Sequence, residues 1–585
     1  MRKKHFLFAS VLALLCGSST LHAQDFKLTS SGYFKNQGVD VMAFDDIYPE
    51  GHQGGVCIIM NGHRVATNGD IRLEATPGQW QPVPKQLDRK LGDNSITATL
   101  CYPDSSRHLT GFNPMIYPDL HLIYTVNVES KGKNIEVTVD LDRPIPQEFI
   151  GKVGFNLEFF PGSLFGKPWI MDGQSGIFPQ QPNSPLMTTQ PNYLHTGNYH
   201  DGKKSLADMN KLIGKGYSPI VADDIISEPY AKGTKFTSRP DDPYNKVTIE
   251  SLSGDLQLFD GRMNHNNGWF VLRSNIKPGV TKGAVKWIIT PNVVADWMYQ
   301  PVIQTSQIGY HPTQDKEAVI EMDIRDNRKE TAQIIRIDAD GEKVVKNVTP
   351  ANWGKFLRYN YLKVNFTDVK EPGLYKIKYN TSVSPIFRID NDVYARGVWQ
   401  PVLEYFLPVQ MCHMRVNEKY RVWHDCCHMD DAQMAPAHNH IDGYDQKEGL
   451  SKFKPGEVVP GVNIGGWHDA GDFDLRIESQ AGESYILALA YEAFHPNLDV
   501  TSIDQINRVT EIHQPDGKND LLQQVENGAL TVVNGYLALG RLYRGIICND
   551  LRQYVLLGDA AAMTDGKIGN EDDRWIFTED NPGRE

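Results

Sequence analysis

Residues 465–474 read Gly-Gly-Trp-His-Asp-Ala-Gly-Asp-Phe-Asp and set two carboxylates, Asp469 and Asp472, three positions apart around a glycine. Trp467 and Phe473 flank the pair. Two carboxylates on a tight, glycine-bearing turn can face one cleft and hold one water between them. Inverting hydrolysis of a glycosidic bond uses such a water. One carboxylate deprotonates it while a second, distant carboxylic acid protonates the leaving oxygen. A lone D-x-x-D would be read as a turn or helix cap. The Gly-Gly-Trp in front of this one favours the chemical role.

The ten-residue string resembles the signature of glycoside hydrolase family 9, the inverting cellulases and related β-glucanases. Two further segments share the resemblance. Asn519-Asp520-Leu521-Leu522, with the amphipathic run to Leu539, is similar to the family helix that begins P-D-L-L. Gln307-Ile308-Gly309-Tyr310-His311-Pro312, followed by Ala318-Val319-Ile320, resembles the immunoglobulin-like domain that often precedes the catalytic domain. The resemblance covers roughly residues 300–585, and residues 24–299 carry none. It implies Asp472 as general base, Asp469 as its partner on the water, and a β-1,4-glucan-type polysaccharide as substrate (cellulose, mixed-linkage glucan or xyloglucan). No cofactor is required for the chemistry. Trp467 and His468 are the expected substrate contacts. A core Trp that positions the loop and a loop His without a ligand role are the plain alternatives.

Six cysteines follow the N-terminal segment, at 57, 101, 412, 426, 427 and 548. Export permits disulfides, and a Cys57–Cys101 bridge is open, but sequence does not fix pairing. Cys412 with Cys427-His428 is the informative group, because thiolates and imidazole are natural zinc ligands. The resemblance implies a structural zinc on a Cys, a Cys-His pair and a further His just after D-A-G-D. This chain has Phe473-Asp474-Leu475-Arg476 there. His424, His438, His440 and His468 stand as replacements, and spacing selects none; ordinary buried thiols are the competing reading.

These residues need elements to position them. Met1–Ala23 joins Arg2, Lys3 and Lys4 to an apolar stretch from Phe6 to Cys16 and ends Leu21-His22-Ala23, the pattern of a cleaved secretory signal. Leu15 before Cys16 argues against a lipoprotein anchor. The expected location is periplasmic, cell-surface or extracellular, with no transmembrane segment and a monomeric state. Residues 24–299 read as a large β-sandwich of unassigned role. Leu120, Leu122, Tyr124, Val126 and Val128 alternate, Lys131-Gly132-Lys133-Asn134 turns, and Ile135, Val137, Val139 and Leu141 alternate again. Residues 300–390 repeat the pattern on the scale of an immunoglobulin-like sandwich. After Asp392 the period becomes helical, with breaks expected at Pro401 and Pro408. Ser484–Phe494, apolar on nearly every side, reads as a buried inner helix.

The fold class is therefore multidomain, two all-β regions followed by an α-helical region over residues 391–585. The resemblance makes that last region an (α/α)6 barrel. The 194 residues from Asp392 to Glu585 hold about half of twelve helices at ~11–12 residues each plus loops. The expectation is that the rest, with the general acid, lies beyond residue 585, so that the 585-residue chain is inactive. Glu579 is the local acid, but its surroundings do not match, and it is not assigned. The net charge of −13 argues against nucleic acid as a partner. A noncatalytic glycan-binding protein with a degenerate helical domain is the alternative function. A purely metal-binding structural protein would leave the 465–474 string unexplained.

Overall fold

A computed structural model describes residues 25–45, 54–74, 76–77, 84–102, 120–183, 186–187, 226–263, 268–439, 445–469, 473–548 and 574–578. The expected signal segment, Asp472, His440 and Glu579 lie outside these residues.

The expected hairpin forms as Ile123–Lys131 and Asn134–Leu141, in register from Tyr124 opposite Leu141 to Lys131 opposite Asn134. Tyr124, Val126, Val128, Ile135, Val137 and Val139 are buried on one face, which is what period-two alternation requires. The hairpin sits inside one of two nine-stranded sheets. Side chains of both sheets share a core, with Phe155 edge-on to Trp287 at 4.9 Å. A large β-sandwich is the result. Cys57 and Cys101 are both buried in it.

The first sheet departs from simple alternation. Val153–Phe159 is buried at every position, on both faces. Its second face carries Asp70, Arg72, Glu74, Asn156, Glu158 and Arg273, all under 5% exposed. Arg273 donates to Glu74 and Asn156, and Tyr124 donates to Asp70. Burial pushes the Asp70 carboxyl up to about 6 and that of Glu74 up to about 7, against the pull of the neighbouring arginines.

Residues 302–389 form two smaller sheets around a second core of Ile320, Ile334, Leu362, Val364, Tyr375 and Ile377 among others. This is the immunoglobulin-like sandwich expected from the sequence.

After Asp392 the picture differs from expectation. Two five-residue helices, α1 (Gln400–Glu404) and α2 (Phe406–Gln410), are separated by one residue, and each contains one of the two prolines. Two long helices follow, α3 (Ile477–Phe494) and α4 (Asp520–Leu539), packed on each other. Before, between and after the long helices run the strands, of two to four residues each, of two four-stranded sheets. The region is thus mixed rather than helical, because strands this short leave no periodic trace. The burial expected of Ser484–Phe494 is also absent among the described residues: Tyr485, Ile486 and Phe494 are 68%, 65% and 81% exposed. No helix among the described residues is long and apolar enough to cross a membrane.

Candidate active site and metal cluster

The 465–474 string begins as a close docking of backbone on α4. Gly465 and Gly466 have φ of +66° and +87°, and a Cβ on Gly465 would lie 2.2 Å from the Asn527 carbonyl oxygen. Only glycine fits there. The Gly466 amide donates to that same carbonyl at 2.9 Å, and Asn527 Nδ2 donates back to the Gly466 carbonyl at 3.1 Å. Gln480 of α3 brackets the next residue. Its Oε1 accepts from the Trp467 amide and its Nε2 donates to the Trp467 carbonyl, both at 2.8 Å.

Trp467 is therefore not a cleft wall. It is 1% exposed, donates from Nε1 to Gln524 at 3.0 Å and packs over Gly528, where a Cβ would meet its ring at 2.3 Å. The indole anchors the loop between α3 and α4, leaving no face for a sugar. His468 is likewise withdrawn. It is 2% exposed, and its Nε2 lies 3.3 Å from Cys427 Sγ, so it faces thiols rather than substrate.

Asp469 emerges at the surface. Its Oδ1 accepts from Ser479 Oγ at 2.8 Å, and its Oδ2 lies 3.2 Å from Arg476 Nε. Its amide donates to the Asp474 carbonyl at 2.8 Å. Phe473 takes a left-handed φ of +59°. One helical turn beyond Ser479, burial and the Asp469 charge push the Glu483 carboxyl up to about 7. Its Oε2 is buried without a hydrogen bond. Ser479, Gln480, Glu483, Gln524 and Asn527 were not singled out from sequence. The available signal was that polar residues interrupt the apolar stripes of α3 and α4.

Beneath the loop, Cys412, Cys427, His428 and His468 meet. Cys412 Sγ lies 3.3 Å from Cys427 Sγ and 3.2 Å from His428 Nδ1. All four are buried. Burial and the neighbouring Cys427 push the Cys412 thiol up. Burial opposes ionisation of Cys427 too, but Cys412, His468 and His413 together hold it below its usual range. His428 Nε2 lies 3.8 Å from Asp431 Oδ2, beyond hydrogen-bond length. Of the four replacements considered for the missing ligand, the fold selects His468. His424 instead points Nδ1 at the Asp425 carbonyl, and the His438 side chain and His440 lie outside the described residues. His413 was missed. Its Nδ1 donates to the Gly465 carbonyl at 2.8 Å, its Nε2 has no hydrogen bond, and its ligand atom groups with those of Cys412 and His428 within 4.8 Å.

Two thiols and two imidazoles at these separations are a donor set for a soft or borderline divalent ion. An ideal tetrahedral zinc site has ligand–ligand edges of about 3.3–3.8 Å, from Zn–S near 2.3 Å and Zn–N near 2.0–2.1 Å. The Cys412–Cys427, Cys412–His428 and Cys427–His468 separations of 3.3, 3.2 and 3.3 Å are a few tenths of an ångström short of the edges that involve sulfur, and the ligand atoms come together as two groups, Cys412–His413–His428 and Cys412–Cys427–His468.

Comparison with known proteins bears on the immunoglobulin-like region. Residues 298–384 match the family model of the cellulase N-terminal Ig-like domain. No curated protein matches the chain. Among solved structures, the chain is similar to a thermostable endoglucanase from Alicyclobacillus acidocaldarius, at 17% identity and a TM-score of 0.31, over 48% of this chain and 44% of that one. A zinc-binding triple mutant of the family 9 endoglucanase J30 matches at 21% identity and a TM-score of 0.33, over 46% and 44%. A Bacteroides ovatus family 9 protein matches at 18% identity and a TM-score of 0.33, over 48% and 45%. The chain spans under half the length of these proteins. Residues 298–384 are thus a cellulase N-terminal Ig-like domain.

Proposed function

We propose that this protein is an exported glycoside hydrolase that cleaves β-1,4-glucan-type polysaccharide with inversion, over domains at 24–299, 300–390 and 391–585. Asp472 is the general base, and Asp469 holds the attacking water beside it. One observation carries the reading: the loop is locked to α3 and α4 through Gly466 and Trp467, yet delivers Asp469 to the surface with its oxygens on Ser479 and Arg476. A merely structural loop has no need of a surface carboxylate held this way. Fixed carboxylate positions are what general-base catalysis asks of a scaffold.

The catalytic domain in this reading is an (α/α)6 barrel to which α3 and α4 belong, the apolar outer side of α3 being a surface that further helices would cover. Zinc is held by Cys412, Cys427, His428 and His468, cross-linking the chain beneath the loop and supplying no chemistry to the reaction. The Met1–Ala23 segment directs export.

The test is hydrolysis of cellulose, mixed-linkage glucan and xyloglucan by the full-length gene product, followed by NMR of fresh products. The α-anomer should appear first from the β-linked substrate. An initial β-product would exclude inversion, and no activity on any β-glucan would exclude the substrate class.

A further inference from the structure

Between the N-terminal sandwich and the Ig-like domain lies a cavity of about 410 Å³, lined from both and from the segment joining them. That volume falls in the ~300–1,000 Å³ range of small-molecule sites. The joining segment supplies Trp297 and Tyr299, and the Ig-like domain adds Tyr359. Their ring centroids follow at 6.4 and 5.1 Å. These rings are held in place. A Cβ on Gly38 would lie 2.7 Å from the Trp297 ring, and Tyr299 donates its hydroxyl to Glu321 at 2.8 Å. Little side-chain entropy then remains to be lost on binding.

Asp40 of the sandwich and Arg358 of the Ig-like domain also line the cavity and face each other at 3.7 Å, beyond hydrogen-bond length. A hydroxyl can donate to the carboxylate while its neighbour accepts from the guanidinium, so a vicinal diol fits between the two groups. Fixed rings beside an open carboxylate–guanidinium pair match the two faces of a pyranose: C–H groups against the rings, hydroxyls toward the charges. Acidic and basic side chains in the lining are nearly matched in number, which selects no anion.

We infer that this junction is a binding site for an uncharged oligosaccharide, distinct from the Asp469 loop. The choice of a β-1,4-glucan as probe rests on the proposed function; the site itself does not. The experiment is calorimetric titration of the full chain with cellohexaose. Saturable binding is expected, weakened at least tenfold by Trp297→Ala and by Arg358→Gln. Because Trp297 packs against Gly38, its variant is first checked by thermal melting; Arg358→Gln, at a half-exposed position, keeps the test alive if that variant does not fold. Binding kept at wild-type strength in Arg358→Gln and in folded Trp297→Ala would place the sugar elsewhere, overturning the junction site and leaving the hydrolase reading intact. No binding at all would also overturn the junction site. Glucan hydrolysis by the same wild-type sample then decides separately whether the hydrolase reading stands.

Discussion

Gln480 offers the sharpest test of how the loop is held. Its side chain is fully buried and satisfies both backbone groups of Trp467. Gln480→Ala leaves an N–H and a C=O buried without partners, at about 1–3 kcal/mol each, so the expected local cost is about 2–6 kcal/mol. A water admitted to the vacated space would bring the value to the lower end. The assay is native-state hydrogen exchange at the Trp467 amide, which reads local opening rather than unfolding of the whole chain. At about 1.4 kcal/mol per decade, even the lower bound means roughly thirtyfold faster exchange. The sandwich amides should not change. Gln480→Glu keeps the shape but sets a second oxygen against the Trp467 carbonyl. Its protection should recover as pH falls and the carboxyl gains a proton to donate. Exchange at Trp467 within threefold of wild type in Gln480→Ala would refute the reasoning, since the bracket would then be holding nothing.

In the complete enzyme, Asp472→Asn should lower turnover by ~10²–10⁴ with substrate binding kept, and Asp469→Asn should also impair it; near-normal rates in the first would sink the assignment. Purified protein should contain about one zinc per chain, reduced by His468→Gln and not by His424→Gln, with chelation lowering the melting temperature; equal zinc in both variants would remove His468 from the site. The third concerns pH. Folding raises Asp70 to about 6 and Glu74 to about 7 above their ordinary carboxylate values. Between the unfolded and folded values the native state binds more protons, so the stability these groups confer falls as pH rises from about 4 through 7 and levels above. Glu74→Gln should flatten that part of the melting profile of the N-terminal sandwich, and an unchanged slope would show that the network titrates elsewhere.

The β-regions were legible because one buried face imposes a period of two, as from Tyr124 to Leu141, and a turn interrupts it where the register demands. The mixed character after Asp392 was not, since strands such as Leu475–Arg476 are too short to alternate. The chemical string was legible as a string, but the directions of its side chains were not. Trp467 and His468 turn inward because Gln480 and Gln524 on one side, and Cys427 on the other, receive them. Those partners lie 13 to 57 residues away, a distance at which local patterns carry nothing. The same holds for α4, whose buried face includes Gln524, Asn527 and Thr531 rather than an apolar stripe alone. Polar groups face inward there because loop backbone, not another apolar helix, lies opposite.

Under the proposed export, the 3.3 Å approach of Cys412 to Cys427 sets a race. Outside the reducing cytosol, two sulfurs in contact are substrates for oxidation as well as donors for an ion. A metal that arrives first occupies both sulfurs and removes the nucleophile. An oxidant that arrives first joins them and withdraws two of the four donors, leaving His428 and His468 unable to hold the ion alone. The empty protein is then not a reservoir that can be filled at any later time. Its fate is decided by whether loading precedes or follows translocation, a matter of order in biogenesis rather than of affinity.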